Sequence, residues 1–430
     1  MKKRTALISA ALLLLALTSC GSQNNSDSTE EKKTPPEAQA ESVNEESEVK
    51  ENVTESLEQS PKTAAVQESI RDFLLIHGRQ DDGDELRLYW TGDGFTFRFR
   101  GEGVSASVEV PDIIPYLRNY INVYIDGDTV PSESLLIGES GKYILAAGLE
   151  DTDHVITVRK RNEAMVGSYI KFKSIEVMGG EFYTEPPAAS EKTIEFIGDS
   201  ITCGYGNLVV DGGVGFTTAE EDGGMSFAHV TASALGAEYS VIARSGIGYI
   251  SRDGISGDTV YTCYDMVAAL PGGEPLSSQK WDFTTHSADV IVINLGTNDN
   301  GFTVNGSQIS RDMYTEDGIE FLRLIREKNP ESVIIWAYGM MGKYNMGAFK
   351  SAVEALNSEG DDKVYFLPLE PVNAQKEGIG RSGHPCGYTD IDRGEILAKK
   401  IASITGWEED ESVYEEFREY FAAHCIGGES

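Results

Sequence analysis

The sequence predicts two folded units of different class: an all-β jelly-roll or sandwich domain, then an α/β domain built on a parallel sheet with helices on both faces. Three observations carry this. Apolar residues alternate with period two between residues 69 and 181. After residue 190, strand-like apolar runs alternate with helical stretches. Between the two, Thr184-Glu185-Pro186-Pro187-Ala188-Ala189 forms a stiff hinge, because paired prolines hold an extended chain and cannot continue a ladder. A length of 430 residues agrees, being too long for one ordinary domain.

Residues 1–20 read as an export signal. Lys2, Lys3 and Arg4 precede an apolar run from Ala6 to Leu17 and a small-residue end at Thr18, Ser19 and Cys20. That run falls short of the roughly 20 residues a spanning helix needs, so cleavage is expected. Leu17-Thr18-Ser19-Cys20 resembles a bacterial lipobox, which implies that Cys20 is lipidated and that the mature protein is an extracellular, cell-surface lipoprotein. Residues 21–67 are rich in Ser, Glu, Asn, Gln, Thr and Pro, with acidic residues outnumbering basic ones roughly three to one. Such a stretch builds no core and self-repels, so it reads as a disordered acidic tether.

In the 69–181 domain, Phe95, Phe97 and Phe99 alternate with Thr96, Arg98 and Arg100, and Val104, Ala106, Val108 and Val110 alternate with small or polar residues. Further strands are expected at 86–91, 120–125, 142–147, 154–159 and 170–178, with turns at Asp93-Gly94 and Asp126-Gly127. In the 190–430 domain, strands are expected at 193–197, 238–243, 290–295, 333–338 and 364–367. A last amphipathic helix carries Val413, Tyr414, Phe417, Tyr420 and Phe421. An open α/β sheet presents its functional groups at the carboxyl ends of its strands.

Composition excludes several function classes. With 36 basic and 70 acidic residues, the formal net charge of −34 repels phosphate backbones and anionic lipid, which excludes nucleic acid and leaves membrane contact to the lipid anchor. The five cysteines form no CxxC pair, and the six histidines show neither HExxH nor zinc spacing, so no metal site is indicated.

The strand ends carry the candidate chemistry. Gly198-Asp199-Ser200 closes the first strand, where Ser200 is either a nucleophile at the strand-to-helix turn or part of an ordinary helix cap. The second strand runs into Arg244-Ser245-Gly246, and the third into Gly296-Thr297-Asn298-Asp299. The Ser200 and Gly246 N–H groups and the Asn298 amide can converge on one oxyanion, each donor contributing roughly 3 to 4 kcal/mol to lowering the barrier. Among the histidines, His384 in Arg381-Ser382-Gly383-His384-Pro385 lies in a glycine-containing loop after the last strand, the position for a base.

Gly198-Asp199-Ser200, Gly246, Gly296-Thr297-Asn298-Asp299 and His384-Pro385, in that order, resemble the four blocks of the SGNH (GDSL-type) hydrolases. The longer stretches 197–206, 244–248 and 336–342, behind a β-sandwich, are similar to carbohydrate esterase family 2, whose members remove O-acetyl groups from xylan and related polysaccharides. The resemblance implies that the parallel sheet is flavodoxin-like, that Ser200 is the nucleophile and that His384 is the base. It makes Ser200, Gly246 and Asn298 the oxyanion donors, Asp199 a structural residue, and acetylated polysaccharide the substrate, with no cofactor. The aspartate that SGNH enzymes carry just before the histidine is replaced by Arg381 and Ser382. The expectation is therefore a Ser-His dyad whose imidazole is oriented by a main-chain carbonyl; Glu377, Asp390 and Asp392 are the alternatives. Cys203 and Cys386, flanking the dyad in sequence, are either free thiols or a disulfide. Tyr249, Tyr338, Met340 and Met341 either line the acyl pocket or pack the core. Competing functions are an SGNH esterase or lipase for other acyl chains and a non-catalytic glycan-binding protein.

Overall fold

The antiparallel half of the molecule is organised by two very long strands. The computed structural model describes residues 64–65, 70–83, 85–164 and 168–427. The export signal, Cys20 and most of the tether lie outside them. The first sheet comprises β1 (Ala64–Ala65), β2 (Leu75–His77), β3 (Leu86–Leu88), β4 (Gly94–Glu109), β5 (Asn119–Ile125), β6 (Glu133–Ile137), β7 (Gly141–Lys160), β8 (Ile170–Met178) and β9 (Glu181–Phe182). Its backbone order is β1-β8-β4-β7-β5-β6, with every pairing antiparallel.

The period-two pattern predicts separate strands at 95–99 and 104–110, and at 142–147 and 154–159. The chain instead runs β4 and β7 continuously through both pairs, with the register shifting between Gly101 and Gly103. Such a bulge bends a strand without ending it, which sequence alternation cannot distinguish from a turn. Phe95, Phe97, Phe99, Val104 and Ala106 are fully buried in one core with Ile121, Val123, Ile156 and Val158, while Arg98 and Arg100 face solvent. Asp126 and Gly127 both have positive φ and make the tight turn after β5. Ala64 and Ala65, within the span read as tether, pair with Val177 and Glu176 of β8.

The second sheet comprises β10 (Thr193–Gly198), β11 (Glu238–Ala243), β12 (Val290–Asn294), β15 (Val333–Tyr338) and β16 (Val364–Pro368), between which lies a small hairpin of β13 (Thr303–Val304) and β14 (Ser307–Gln308). The order β11-β10-β12-β15-β16, all parallel, is the 2-1-3-4-5 arrangement of flavodoxin-like sheets. The helices are α1 (Ser200–Cys203), α2 (Phe227–Leu235), α3 (Arg311–Lys328), α4 (Met346–Ser358), α5 (Gly387–Thr405) and α6 (Val413–His424). Two buried clusters flank the sheet. One packs α2, α5 and α6 through Phe227, Leu397 and Phe417; the other packs α3 and α4 through Phe321 and Phe349 against Trp336. No helix among the described residues is long and apolar enough to cross a membrane.

Register positions the site. Gly198 is opposite Ala243 on one side and Asn294 on the other, so the first three strands end level and their loops share one edge. The two sheets are joined by buried polar side chains. Arg79, with no exposure, donates to Glu195 at 2.8 Å, and Trp90 Nε1 donates to Val267 O at 2.7 Å.

Candidate active site

Ser200 begins a helix of a single turn. Asp199, in an extended conformation, accepts the Ile201 N–H at 3.0 Å, so the aspartate is the cap and the serine is left to face the crevice. The glycine before it is sterically required, since a Cβ on Gly198 would lie 1.9 Å from Thr202 Oγ1. Burial is the main cause that pushes the Asp199 carboxyl up to about 7; the Ile201 N–H opposes it and the nearby Asp299 and Glu163 charges reinforce it.

His384 Nε2 lies 2.8 Å from Ser200 Oγ, and His384 Nδ1 lies 2.9 Å from Arg381 O. A carbonyl only accepts, so Nδ1 carries the proton and Nε2 presents its lone pair to the serine hydroxyl. That is the tautomer a general base needs. Burial pushes the imidazole down to about 4, with the Arg381 carbonyl acting against it. The ring also lies against Tyr205, centroids 4.5 Å apart, and Tyr205 stacks on Phe216 at 4.0 Å.

The carbonyl that orients His384 is itself held on several sides. Arg381 Nε and Nη2 donate to Glu220 Oε1 at 3.0 and 2.7 Å, Nη1 donates to Gly212 O, and the Arg381 N–H donates to Gly206 O at 3.2 Å. Ser382 adopts φ 52°, a left-handed conformation that costs a non-glycine residue on the order of 1 kcal/mol. This turn folds the Arg381 carbonyl back under the ring. The carboxylates weighed as substitutes are engaged elsewhere: Glu377 with Thr389 and Arg393, Asp390 with Asn207, and Asp392 with Arg418. We expect Arg381→Ala to lower kcat about 10-fold with KM little changed, because a carbonyl free to shift by a fraction of an ångström misaims the base. Steady-state kinetics on a chromogenic acetyl ester, with thermal melting as a fold control, checks this. An unchanged kcat would show that the turn holds without its side-chain ties.

The other two strand-end loops reach the same edge. Gly246 has φ 84°, and a Cβ there would meet nothing within 4 Å, so the backbone opens on the crevice at this point. Asn298 Nδ2 donates to Ile247 O at 3.0 Å and to Asp199 Oδ2 at 3.3 Å, which bridges all three loops. Asp299 caps the second loop from the third, with Oδ1 accepting the Tyr249 and Ile250 N–H groups at 3.0 and 2.9 Å.

Other candidates resolve as structural. Cys203, Cys263, Cys386 and Cys425 are free thiols, and Cys386 Sγ donates to Glu377 O at 2.9 Å. Tyr249, Tyr338 and Met340 are buried in the two cores, with Tyr249 donating to Tyr314 O, and Met341 packs beside them. His77, His154, His229, His286 and His424 bond to residues away from the crevice. Sequence reasoning missed Glu163, which reaches the second loop from the antiparallel domain. A lone acid shortly after the basic run Arg159-Lys160-Arg161 carries no sequence signal for such a role.

Two family models match the chain: "Carbohydrate esterase 2 N-terminal" over residues 76–187 and "GDSL-like Lipase/Acylhydrolase family" over residues 196–378. The chain is 30% identical over 342 residues to the cellulase/esterase CelE of Acetivibrio thermocellus, a match covering 78% of this chain and 40% of that protein. An acetylxylan esterase / glucomannan deacetylase of Cellvibrio japonicus is 24% identical over 368 residues, covering 83% of this chain and 95% of that one. Among solved structures, a family two carbohydrate esterase from Clostridium thermocellum in complex with cellohexaose is 28% identical with a TM-score of 0.68, covering 78% of this chain and 99% of that one. The acetyl xylan esterase Est2A of Butyrivibrio proteoclasticus shares the fold, with 23% identity and a TM-score of 0.69 over 81% of this chain and 99% of that one.

Proposed function

The chain is an SGNH (GDSL-type) hydrolase resembling the carbohydrate esterase family 2 acetyl xylan esterases, and from that premise we propose that it removes O-acetyl groups from polysaccharide such as xylan or glucomannan. One observation carries the reading: the line from Arg381 O through the His384 ring to Ser200 Oγ, at 2.9 and 2.8 Å. It supports a Ser-His dyad in which a main-chain carbonyl does the orienting that the third member of a triad, a carboxylate, does elsewhere.

His384 Nε2 takes the Ser200 proton as Oγ attacks the acetyl carbonyl. The oxyanion forms against the Ser200 and Gly246 N–H groups and the Asn298 amide. The imidazolium then gives its proton to the departing sugar oxygen, leaving an acetyl-enzyme. Water, deprotonated by the same nitrogen, attacks the acetyl carbonyl; collapse frees acetate and returns the proton to Ser200. We read the antiparallel domain as a jelly roll. The protein is read as held outside a bacterial cell by lipid on Cys20, which Cys20→Ala should release from the membrane fraction.

The direct test is acetate release from acetylated xylan and glucomannan by protein lacking the export signal. No release from any acetyl ester would end the esterase reading, and faster turnover of long acyl chains would move it to other esters. A pH profile tests the dyad. The base works only when neutral and His384 is held down to about 4, so kcat/KM should rise through about pH 4 and stay level to neutrality. An acid limb centred near pH 6.5, the value of an unperturbed imidazole, would show that its surroundings do not hold this base down.

A further inference from the structure

Resting on the esterase reading, we propose that Glu163 of the antiparallel domain is a positioning residue for the oxyanion hole, so that this domain is a working part of the active site. Glu163 follows β7 and is 2% exposed. Its two carboxylate oxygens divide between the two polar groups of one residue: Oε2 accepts the Ser245 N–H at 2.6 Å, and Oε1 accepts from Ser245 Oγ. Ser245 immediately precedes Gly246, whose N–H is the second oxyanion donor. A bidentate grip therefore fixes the N–H and Oγ of Ser245, on either side of the Cα from which the peptide carrying the Gly246 N–H departs. β11 ends at Ala243, so Ser245 lies beyond that strand's ladder bonds, while the α/β domain holds its neighbours Arg244 and Ile247 through Asp258 and Asn298.

Glu163 is itself anchored. The Lys160 ammonium and Ser168 Oγ donate to its carbonyl at 3.0 and 3.2 Å, and its N–H donates to Glu221 Oε1 at 3.4 Å. Next to it, Arg161 donates to Glu221 O at 2.7 Å and to Ala219 O at 2.6 Å, and accepts the Gly223 N–H at 2.8 Å. The strand end is thus sewn to the segment that also supplies Glu220, the partner of Arg381. One domain boundary thereby steadies both the oxyanion donor and the base.

Two substitutions separate reach from charge. Glu163→Gln keeps the length and can form both bonds, its oxygen accepting the Ser245 N–H and its amide donating to Ser245 Oγ, which also accepts. Glu163→Asp keeps the charge and is one methylene too short. Positioning predicts that Glu163→Asp loses at least about 10-fold in kcat with KM within about 3-fold, while Glu163→Gln stays within about 3-fold of wild type. Arg79→Lys, at another contact across the same boundary and away from the loops, should lower the melting temperature and leave kcat unchanged. Hydrogen exchange of the 244–248 amides should quicken in Glu163→Asp and not in Glu163→Gln, whatever the substrate. Equal kcat and equal exchange in the aspartate variant and wild type, or a glutamine variant as impaired as the aspartate one, would overturn the proposal. An inactive wild type that still shows the exchange pattern would instead remove the esterase reading and leave the loop grip standing.

Discussion

Ser200→Ala is expected to lower acetyl-ester hydrolysis on the order of a million-fold, with His384→Ala costing nearly as much and the double variant scarcely more. The near-equality follows from the geometry. Ser200 Oγ has one acceptor for its proton, His384 Nε2 at 2.8 Å, and an unassisted hydroxyl with a pKa far above neutrality is a poor nucleophile. Removing either member removes the same step. Alanine at 200 leaves the backbone N–H in place, so residual rate comes from the oxyanion donors and substrate binding alone. The helix should survive, since its cap is Asp199 and not the serine. Acetate release measured beside thermal melting checks both halves. A Ser200→Ala protein within about 100-fold of wild type would mean that another nucleophile operates, a loss far smaller than deletion of a true nucleophile gives.

Much of this site was legible because it is local in sequence. Each strand end carries its candidate residues in one short run, and the parallel register then levels Gly198, Ala243 and Asn294. Periodicity matched β11 and β15 to the residue and the other sheet strands to within one. The antiparallel domain was less legible because a bulge and a turn look alike in an alternating pattern, so β4 and β7 read as four strands. Short strands such as β2, β6 and β9 offered too few residues for any period. What stayed hidden at the site was non-local. A main-chain carbonyl was expected to orient His384, but not which one, because only the φ of Ser382 and the Glu220 contact bring Arg381 O under the ring. Glu163 acts on a loop 82 residues away through contacts that no spacing encodes.

Asn298 carries the second largest expected effect. Asn298→Ala should lower kcat between about 100- and 1,000-fold, the usual result of deleting one oxyanion donor, with KM little changed because the amide matters most when the carbonyl oxygen becomes charged. In the structure both Nδ2 hydrogens have partners, Ile247 O at 3.0 Å and Asp199 Oδ2 at 3.3 Å. Serving the oxyanion therefore means giving up the longer of the two bonds. Asp199 tolerates this, because burial holds its carboxyl up near 7 and a proton there removes the acceptor's charge. Asn298→Asp separates the donor role from the bridging role. It keeps the size, puts an acceptor where the donor was, and sets a second carboxyl against Asp199, so it should be worse than alanine at neutral pH and should regain ground as pH falls and the new carboxyl protonates. If alanine and aspartate behaved alike across that range, Asn298 would be a bridge between loops, and the oxyanion would depend on the two backbone N–H groups alone.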